Sequence, residues 1–570
     1  MTFRIAAVLQ PRRYRSFALL LGASVLTGAI SGLGTVWLLS IINGALHRQE
    51  GMASGLLVGF AGFCVVTLVA RAGSDIATNM IGQGLVAEVR MWLARKVLSA
   101  PVDALESYRS YRLVPVLTHD VDMISDIAFI AAPLAISLII TFGCLAWLAW
   151  LSPLLCVIVA VVLCIGALGQ YVARRKGIAG FEASRRLEDV LHKAYRSITD
   201  GARELKINRE RREQIFSGHI AGTVGDIRKI NTRAINVFVI ANAFGSALFF
   251  LLIAMVLAWQ SIAPMPPEVL SGFVLVLLFL RGPVEQIMGA LPAIGRMQVA
   301  LGRVRDLSRH FETTESDTRQ IANDKTADVS HFSSAIRLEG VSYAFPHADN
   351  ADKAERAHRF VLGPVDLTFE AGKTTFIIGD NGSGKTTLIK LLLGLYAPQE
   401  GKILVDGVPL TVEGRDDYRQ HFSTVLSDFH LFEDILPGQG KHAGDIARYL
   451  ERLELAGKVT IRDGYFTTTD LSTGQRKRLA LAQAWVEGRP IIVFDEWAAD
   501  QDPSFRRLFY EELLPDLKAE GRTLIVISHD DRYFHAADQL VRMDRGKLVP
   551  VSGGLSTAPT CPSAREEMIT

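Results

Sequence analysis

The chain has 570 residues, of which 49% are apolar, and its mean hydropathy of +0.24 is high for a fully soluble protein. The formal net charge of +2 at pH 7 is too small to favour a nucleic-acid partner. The spacing of the five cysteines fits neither a disulfide framework nor a zinc site, so we interpret them as small apolar residues.

Six long apolar stretches precede residue 300, at about 17–44, 54–73, 126–151, 153–174, 236–259 and 267–290. Each is close to or longer than the ~20 residues that a helix needs to span a bilayer. A single such stretch is compatible with a buried core helix, but six in succession predict a multi-pass membrane domain. The first stretch is too long for a cleavable signal peptide, and further spans follow it.

The connections between the spans alternate in length, and the long ones, at roughly 74–125 and 175–235, carry basic clusters. These clusters are Arg90, Arg95 and Lys96, and then Arg174, Arg175 and Lys176. Because basic residues favour the cytoplasmic side, we expect the N-terminus, both long connections and everything after span six in the cytoplasm.

Charged side chains occur near the end of span six. Arg281 and Glu285 lie one helical turn apart, with Pro283 between them, and Gln286 follows. A charge at this depth is costly unless it faces a cavity or an opposite charge. Functional and structural interpretations stay equally open, and the polar side chains are candidates for contact with a transported molecule.

A polar, aperiodic segment separates the two halves. We predict a transmembrane domain over 1–305, a linker over 306–335, a second domain over 336–552 and a flexible tail over 553–570. In the second domain, strands near 336–345, 365–370, 373–379, 402–406, 422–427, 490–495 and 523–528 alternate with helices. That alternation predicts an α/β fold with a largely parallel core sheet.

A phosphate-binding loop follows the third of these strands, where the pattern G-x-x-x-x-G-K-[ST] spans Gly379 to Thr386. Its glycines, among them Gly382 and Gly384, allow a tight turn whose N–H groups point at a triphosphate. Lys385 is placed to reach the β- and γ-phosphates, and the Thr386 hydroxyl to hold Mg²⁺. The chain is therefore predicted to bind a nucleotide triphosphate.

Two carboxylates end a later apolar strand, Asp495 and Glu496 after Ile-Ile-Val-Phe. Acids at the carboxyl end of a buried strand suit a Mg²⁺–phosphate site. Asp495 is expected to hold Mg²⁺, and Glu496 to act as the general base that polarises the attacking water.

Leu-Ser-Thr-Gly-Gln at 471–475 precedes a helix, and Ser472 is a plausible N-cap. A second helix start in one chain is also able to bind a phosphate. Four features follow one another along the chain: the loop at 379–386, this segment, the acidic strand and Ile-Ser-His-Asp at 527–530. Their order resembles that of the ATP-binding cassette family, in particular of a six-span exporter half-transporter. The fold class implied is an all-α membrane domain plus an α/β P-loop NTPase domain.

The resemblance implies a homodimer in the lipid bilayer, with two ATP molecules sandwiched head to tail. Ser472 and Gly474 of one protomer would complete the site built on Lys385 of the other, and His529 would contact the γ-phosphate. Phe345 matches the aromatic residue that stacks on adenine, with Tyr343 the weaker candidate. The residues expected at ATP are Phe345, Asn381, Gly382, Ser383, Gly384, Lys385, Thr386, Thr387, Ser472, Gly474, Gln475 and Asp502.

Two positions depart from the family pattern. Thr473 replaces the first glycine of the usual Leu-Ser-Gly-Gly-Gln, and Ser427 stands where a glutamine usually contacts Mg²⁺. Serine is too short to copy glutamine, so either a water bridges Ser427 or Asp428 substitutes for it.

Three segments resemble the bacterial cyclic-peptide and siderophore exporters of the pyoverdine-precursor and syringomycin type. They are Leu-Ser-Thr-Gly-Gln-Arg-Lys-Arg from 471, Asp-Glu-Trp-Ala-Ala-Asp-Gln-Asp-Pro from 495 and Ser-Asp-Phe-His-Leu-Phe from 427. Trp497 and Asp500 depart from the commoner Asp-Glu-Ala-Thr-Ser-Ala-Leu-Asp.

This resemblance implies export of a peptide-like metabolite across the bacterial inner membrane, with periplasmic or outer-membrane export components as candidate partners. A lipid or multidrug exporter, or a non-transporting membrane ATPase, is the alternative.

Overall fold

The computed structural model describes residues 11–46, 54–108, 110–261, 263–311, 332–345, 360–435 and 446–550. The chain divides into two compact units, an N-terminal one of residues 1–100 and 104–312 and a C-terminal one of residues 313–570 together with 101–103. The predicted tail and most of the predicted linker lie outside the described residues. So does the polar and charged segment at 347–358, which the sequence predicts to be an insertion between two early strands.

Within the described residues, the regular structure of the N-terminal unit is helical. Its helices are α1 (Pro11–Leu46), α2 (Ser54–Leu98), α3 (Val102–Tyr108), α4 (Ser110–Pro115), α5 (Val121–Leu151), α6 (Pro153–Asp200), α7 (Ala202–Ile207), α8 (Arg209–Glu213), α9 (Gly222–Trp259) and α10 (Pro267–His310), with π-helical turns at Val116–Asp120 and Gln214–Ala221. By length and composition, six helical stretches in the described residues could cross a membrane, in agreement with the six predicted spans.

The long helices continue well past their apolar stretches. Helix α6 has 48 residues, about 72 Å at 1.5 Å per residue, against a hydrocarbon core of ~30 Å. The polar segments that extend α2, α6 and α9 contain no proline, so the intrahelical ladder is not interrupted there. Helix α10 runs through Pro283 and ends at His310, so the first five residues of the predicted linker, 306–310, are helical.

Small residues let the long helices approach closely. A Cβ added to Gly177 of α6 would lie 2.2 Å from the Phe238 ring of α9, and one on Gly28 of α1 would lie 2.1 Å from Ile136 of α5. Close backbone approach at glycine is the usual means of helix association in a membrane, where lipid tails remove the hydrophobic driving force.

A buried ion cluster joins three segments of this unit. Asp120, at the end of the first π-helical turn, is fully buried and pairs with Arg185 of α6. Arg303 of α10 lies 3.8 Å from the same carboxylate and also pairs with Asp189. Each charge has an opposite partner, as buried charges require.

The C-terminal unit contains two larger sheets. Its strands are β1 (Ala335–Ala344), β2 (Val361–Glu370), β3 (Thr374–Ile378), β4 (Glu400–Val405), β5 (Val408–Pro409), β6 (Phe422–Val425), β7 (Ile461–Arg462), β8 (Tyr465–Phe466), β9 (Ile491–Asp495), β10 (Thr523–Ile527), β11 (Gln539–Asp544) and β12 (Lys547–Val549). The six-stranded core sheet has the order β12-β11-β3-β10-β9-β6 and is parallel except for β12.

The core sheet confirms the predicted α/β fold, but β1, β2 and β4 do not join it. With β5 they form a separate antiparallel sheet in the order β2-β1-β4-β5. Buried and less buried residues alternate along much of β2, as expected where one face is solvated, whereas β9 and β10 are buried throughout. Strand burial therefore distinguishes the antiparallel sheet, which has one solvated face, from the parallel core sheet, which is covered on both faces.

The helices of this unit are α11 (Lys385–Leu392), α12 (Arg415–Arg419), α13 (Ile446–Arg452), α14 (Thr473–Glu487), α15 (Pro503–Leu508) and α16 (Leu514–Ala519). Strands β3, β9 and β10 are neighbours in the parallel sheet, so the segments that follow them meet at its carboxyl edge. That edge is where open α/β sheets place their sites.

Candidate ATP-binding and hydrolytic site

The loop after β3 has the backbone that the sequence pattern predicts. Gly379 (φ 145°), Gly382 (φ 79°) and Gly384 (φ 104°) all adopt positive φ. A Cβ on Gly379 would lie 2.2 Å from the Met543 carbonyl oxygen, and one on Gly384 would lie 2.8 Å from the Phe360 ring. Both conformation and space therefore require glycine. The loop leads directly into the N-terminus of α11, which favours an anion.

Lys385 is held at the centre of this loop. Its Nζ donates hydrogen bonds to the carbonyl oxygens of Gly379 at 2.9 Å and Asp380 at 3.0 Å, and lies 4.0 Å from Glu496 Oε1. The side chain is 5% exposed, and this burial lowers the pKa of its ammonium, against the opposing effect of the nearby carboxylates of Glu496 and Asp495.

Asp495 ends β9 as a buried carboxylate. Ser427 Oγ donates a hydrogen bond to its Oδ2 at 3.1 Å, while Asp428 lies exposed beside it. Burial raises the pKa of Asp495, the Ser427 hydrogen bond lowers it, and the charges of Glu496 and Asp428 add to the rise. The sequence left open whether Ser427 or Asp428 takes the place of the usual glutamine. Of these two residues, Ser427 is the one whose side chain contacts Asp495.

The donor set at this edge suits Mg²⁺. The Thr386 hydroxyl is exposed at the start of α11, and Asp495 supplies a carboxylate, both hard oxygen donors. Among the described residues no group of three or more His, Cys, Asp or Glu side chains is placed to hold a metal. Such a sparse set is typical of Mg²⁺ that is bound largely through phosphate oxygens and water.

Glu496 adopts an unusual backbone conformation beside His529. Its φ of 50° and ψ of 36° are left-handed, which is uncommon outside glycine, asparagine and aspartate. His529, which follows β10, places Nε2 3.0 Å from Glu496 Oε1. The two side chains predicted to act on the γ-phosphate region are therefore direct neighbours.

An open cleft of about 470 Å³ connects the loop to Glu496. Its lining comprises Phe360, Asn381, Gly382, Gly384, Lys385, Thr386, Thr387 and Glu496. Ser383 lies beneath the loop, 4% exposed. Phe345 is 41% exposed and packs edge-on against Tyr343, which is buried at 3%. This burial favours Phe345 over Tyr343 as the ring available to a base.

Phe360 was not predicted from the sequence. It immediately precedes β2 and packs against the turn at Gly384. The sequence offered one signal for Phe360, an aromatic residue at the end of a polar segment. Its contact with a glycine 24 positions later cannot be predicted from the local sequence pattern.

The Leu-Ser-Thr-Gly-Gln segment forms the start of α14. Ser472 and Gln475 make a reciprocal capping box, in which the Ser472 N–H donates to Gln475 Oε1 at 3.4 Å. Thr473 is the first helical residue and is exposed, so its branched side chain meets no obstacle. In the part of the chain that the structure describes, none of these side chains lines the cleft at Lys385.

Asp502 caps α15, accepting hydrogen bonds from the Phe505 N–H at 2.9 Å and the Ser504 hydroxyl at 2.6 Å. These bonds, with the Arg478 guanidinium at 2.7 Å, lower the pKa of Asp502 to about 2. The predicted ATP contact thus has a local structural role within its own chain.

The described residues combine six helical stretches that could cross a membrane with a phosphate loop, an acidic strand end and a helix that begins at Leu-Ser-Thr-Gly-Gln, residues 471–475, here called the signature segment. This combination is typical of a membrane transporter driven by ATP. The chain belongs to the ABC transporter family: the family described as ABC transporter transmembrane region matches residues 17–283, and the one described as ABC transporter matches residues 362–499. It is therefore a multi-pass membrane protein that binds ATP and couples its hydrolysis to transport.

Similar proteins cover nearly the whole chain. The ATP-binding protein SyrD of Pseudomonas syringae pv. syringae is 34% identical over 92% of this chain and 93% of its own. The ATP-dependent lipid A-core flippase of Chromobacterium violaceum is 26% identical over 83% of this chain and 80% of its own. A solved structure of a bacterial Atm1-family ABC exporter with ATP bound shares the fold, with a TM-score of 0.73, 18% identity and 95% coverage of both chains.

Proposed function

We propose that the protein exports a peptide-like secondary metabolite, a cyclic peptide or a peptide siderophore or its precursor, across the bacterial inner membrane by alternating access. The proposal that transport is driven by ATP rests on the cleft that joins Lys385 to Glu496, and on the contact between Glu496 and His529. The cargo class rests on the resemblance of the segments from 427, 471 and 495 to cyclic-peptide and siderophore exporters.

In the hydrolytic step, Glu496 accepts the proton of the attacking water, and His529, in contact with Glu496 Oε1, orients toward the γ-phosphate. Lys385 exchanges the carbonyl oxygens of Gly379 and Asp380 for phosphate oxygens. Thr386 and Asp495 would hold Mg²⁺, which when bound neutralises phosphate charge.

The dimeric arrangement accounts for the position of the signature segment. Ser472 and Gly474 lie at a helix start that is outside the cleft of their own chain, and an exposed helix N-terminus favours phosphate. In a two-fold dimer, Ser472 and Gly474 of the partner subunit would close the cleft built on Lys385. Two equivalent hydrolytic sites follow, because each would contain Glu496.

The membrane unit contains a candidate cargo contact. Arg281 Nε donates to Glu285 Oε1 at 2.7 Å, Ser246 Oγ donates to the same oxygen at 3.3 Å, and the Arg281 guanidinium lies 5.1 Å from the centre of the Phe250 ring. The two charged side chains are 40% and 47% exposed in the single chain. Since exposure to lipid is costly for ions, we infer that they face an aqueous pathway.

A lipid is the second candidate cargo, because lipid A-core flippases are among the similar proteins. ATP-dependent uptake into inverted membrane vesicles separates the two. We expect accumulation of a cyclic lipopeptide or a peptide siderophore precursor but not of lipid A. Movement of lipid A alone would replace the peptide proposal, and ATP hydrolysis with no movement of any cargo would favour a regulatory ATPase.

Glu496→Gln tests the hydrolytic site. We expect ATP binding to persist and turnover to fall by about 10³-fold or more, because the amide cannot accept the proton. Nucleotide binding and steady-state ATPase rate of the purified protein are the measurements. Near-normal hydrolysis by this variant would remove Glu496 as the base.

A further inference from the structure

Lys477 is a buried cation in the helix that begins at the signature segment. It is 3% exposed, and its Nζ donates a hydrogen bond to the main-chain carbonyl oxygen of Glu496 at 2.9 Å. The same ammonium pairs with Asp500 Oδ2 at 2.7 Å. A charge that is desolvated to this extent needs such a partner.

The contact falls on the residue whose backbone is least usual in the site. Glu496 holds left-handed φ and ψ angles, and such a conformation persists only when its surroundings specify it. Its N–H donates to the Ile527 carbonyl at 3.2 Å, and its carbonyl accepts from Lys477 at 2.9 Å and from the Ala499 N–H at 3.3 Å. The peptide group before Glu496 is thereby held by β10, and the one after it by the Lys477 side chain of α14 and by the Ala499 N–H.

Trp497, the residue after Glu496, makes a second hydrogen bond to Lys477. Its Nε1–H donates to the Lys477 carbonyl oxygen at 2.9 Å, and its ring, 1% exposed, stacks on Phe509 at 4.3 Å. Trp497 and Asp500 are among the positions at which the segment after Glu496 departs from the commoner Asp-Glu-Ala-Thr-Ser-Ala-Leu-Asp. Both side chains contact Lys477: Trp497 donates to its main-chain carbonyl oxygen, and Asp500 pairs with its ammonium.

The signature segment belongs to the same connected structure. Gln501 Nε2 donates a hydrogen bond to the Gly474 carbonyl oxygen at 3.0 Å, and Gln501 Oε1 accepts one from Arg478 Nε at 2.9 Å. Arg478 also pairs with Asp502. Lys477 is five positions beyond Ser472, which corresponds to about 7.5 Å along the helix axis. The start of α14 and the main chain of Glu496 are therefore joined by a short set of contacts through the buried side chain of Lys477.

We propose that Lys477 is a positioning residue that couples the signature segment of a chain to the hydrolytic glutamate of the same chain. Phosphate bound at Ser472 and Gly474 belongs to one ATP site of the dimer, and Glu496 to the other, so Lys477 links the two sites within each subunit. This inference rests on the proposed dimeric function.

Lys477→Met is the discriminating change. It keeps an unbranched stem in the buried position and removes the ammonium, and it leaves Asp500, whose side chain is 48% exposed, in contact with water. We expect kcat for ATP hydrolysis to fall about 10- to 100-fold while KM for ATP stays within about twofold, as for loss of orientation without loss of binding. We also expect the Hill coefficient for ATP to fall towards one.

Lys477→Gln separates orientation from stability, because its amide can still donate to the Glu496 carbonyl. We expect it to recover much of the kcat that Lys477→Met loses, with unchanged thermal midpoints for both variants. Lys458→Gln, at an exposed lysine of the same unit, is the matched control and should behave as the parent protein.

Unchanged kcat and Hill coefficient in Lys477→Met would overturn the proposal, as would equal losses in both variants accompanied by lowered thermal midpoints. Glu496→Gln is assayed in parallel. If that variant is inactive and Lys477→Met is normal, the coupling inference alone fails; if Glu496→Gln is active, the assignment of the hydrolytic site itself fails.

Discussion

At the scale of single residues, the structure shows what Ser427 contacts in the nucleotide site. Ser427 stands where glutamine is usual, and its side chain is too short to reach across a nucleotide site. The structure gives it a different partner, the buried carboxylate of Asp495. The hydroxyl stabilises the charged form of Asp495, which burial disfavours, and so supports the form that binds a cation.

Ser427→Ala therefore has a predicted pH signature. Cation binding needs ionised Asp495, so activity is lost as pH falls through the pKa of this group. That pKa is already raised by burial, and removal of the hydroxyl raises it further. We expect the acid limb of the pH–rate profile at saturating MgATP to move to higher pH, by about half to one pH unit for a hydrogen bond of ordinary strength.

Thr424→Ala, at an exposed hydroxyl on β6, provides the matched control and should leave the profile unchanged. An acid limb that stays in place, or moves to lower pH, in Ser427→Ala would contradict a role for this hydroxyl at Asp495.

At the scale of elements, α10 combines two tasks. Its first half is apolar and contributes to the core of the membrane unit, with Phe273, Leu277 and Leu280 buried. Directly after Leu280 the same helix presents Arg281 and, one turn further on, Glu285, which are paired with each other and only partly buried. The pairing lowers the cost of placing charge on a membrane helix, and the remaining exposure leaves both groups accessible.

Arg281→Leu and Glu285→Gln test whether this pair contacts cargo. We expect each variant to keep basal ATPase activity, because neither residue lies in the ATPase unit, and to lose the cargo-stimulated component by about tenfold or more, since a single remaining charge is left unpaired. The readout is ATPase rate with and without a cyclic lipopeptide in the same proteoliposomes.

Leu278→Ala, an exposed apolar residue of the same helix, is the control and should retain stimulation. Normal stimulation and vesicle uptake in both charge variants would assign the pair a purely structural role.

At the scale of the whole molecule, the proposed dimer makes a prediction about mixed subunits. A homodimer of Lys385→Ala chains, or of Ser472→Arg chains, carries a defect in both ATP sites. In a mixed dimer of the two, composite sites would place both defects in one site and leave the other intact.

Differently tagged Lys385→Ala and Ser472→Arg chains can be co-expressed and the mixed dimer isolated by two affinity steps. We expect about half of the parental ATPase rate if the two sites act independently, and less if they are coupled, against background rates for both homodimers. Ser472 is exposed, so the larger side chain does not disturb its own core. A mixed dimer as inactive as the homodimers would indicate that Lys385 and Ser472 of the same chain serve one site.

The features that the sequence alone determined are those that depend on residues adjacent in the chain. Runs of about 20 apolar residues specify membrane helices because a bilayer imposes a length, and G-x-x-x-x-G-K-T specifies a phosphate loop because only glycine tolerates its φ angles. The strand that delivers Asp495 and Glu496 and the helix start at Ser472 were likewise readable from local pattern.

Tertiary structure decided the features that join residues distant in sequence. It separated β1, β2 and β4 into their own antiparallel sheet, brought Phe360 onto Gly384 and aimed Ser427 at Asp495. It also placed the Lys477 ammonium on the carbonyl of Glu496 and closed the pair of Asp120 and Arg185, 65 positions apart. Local periodicity reports backbone preference and burial of a face, whereas the partner of a buried polar group depends on which elements pack together.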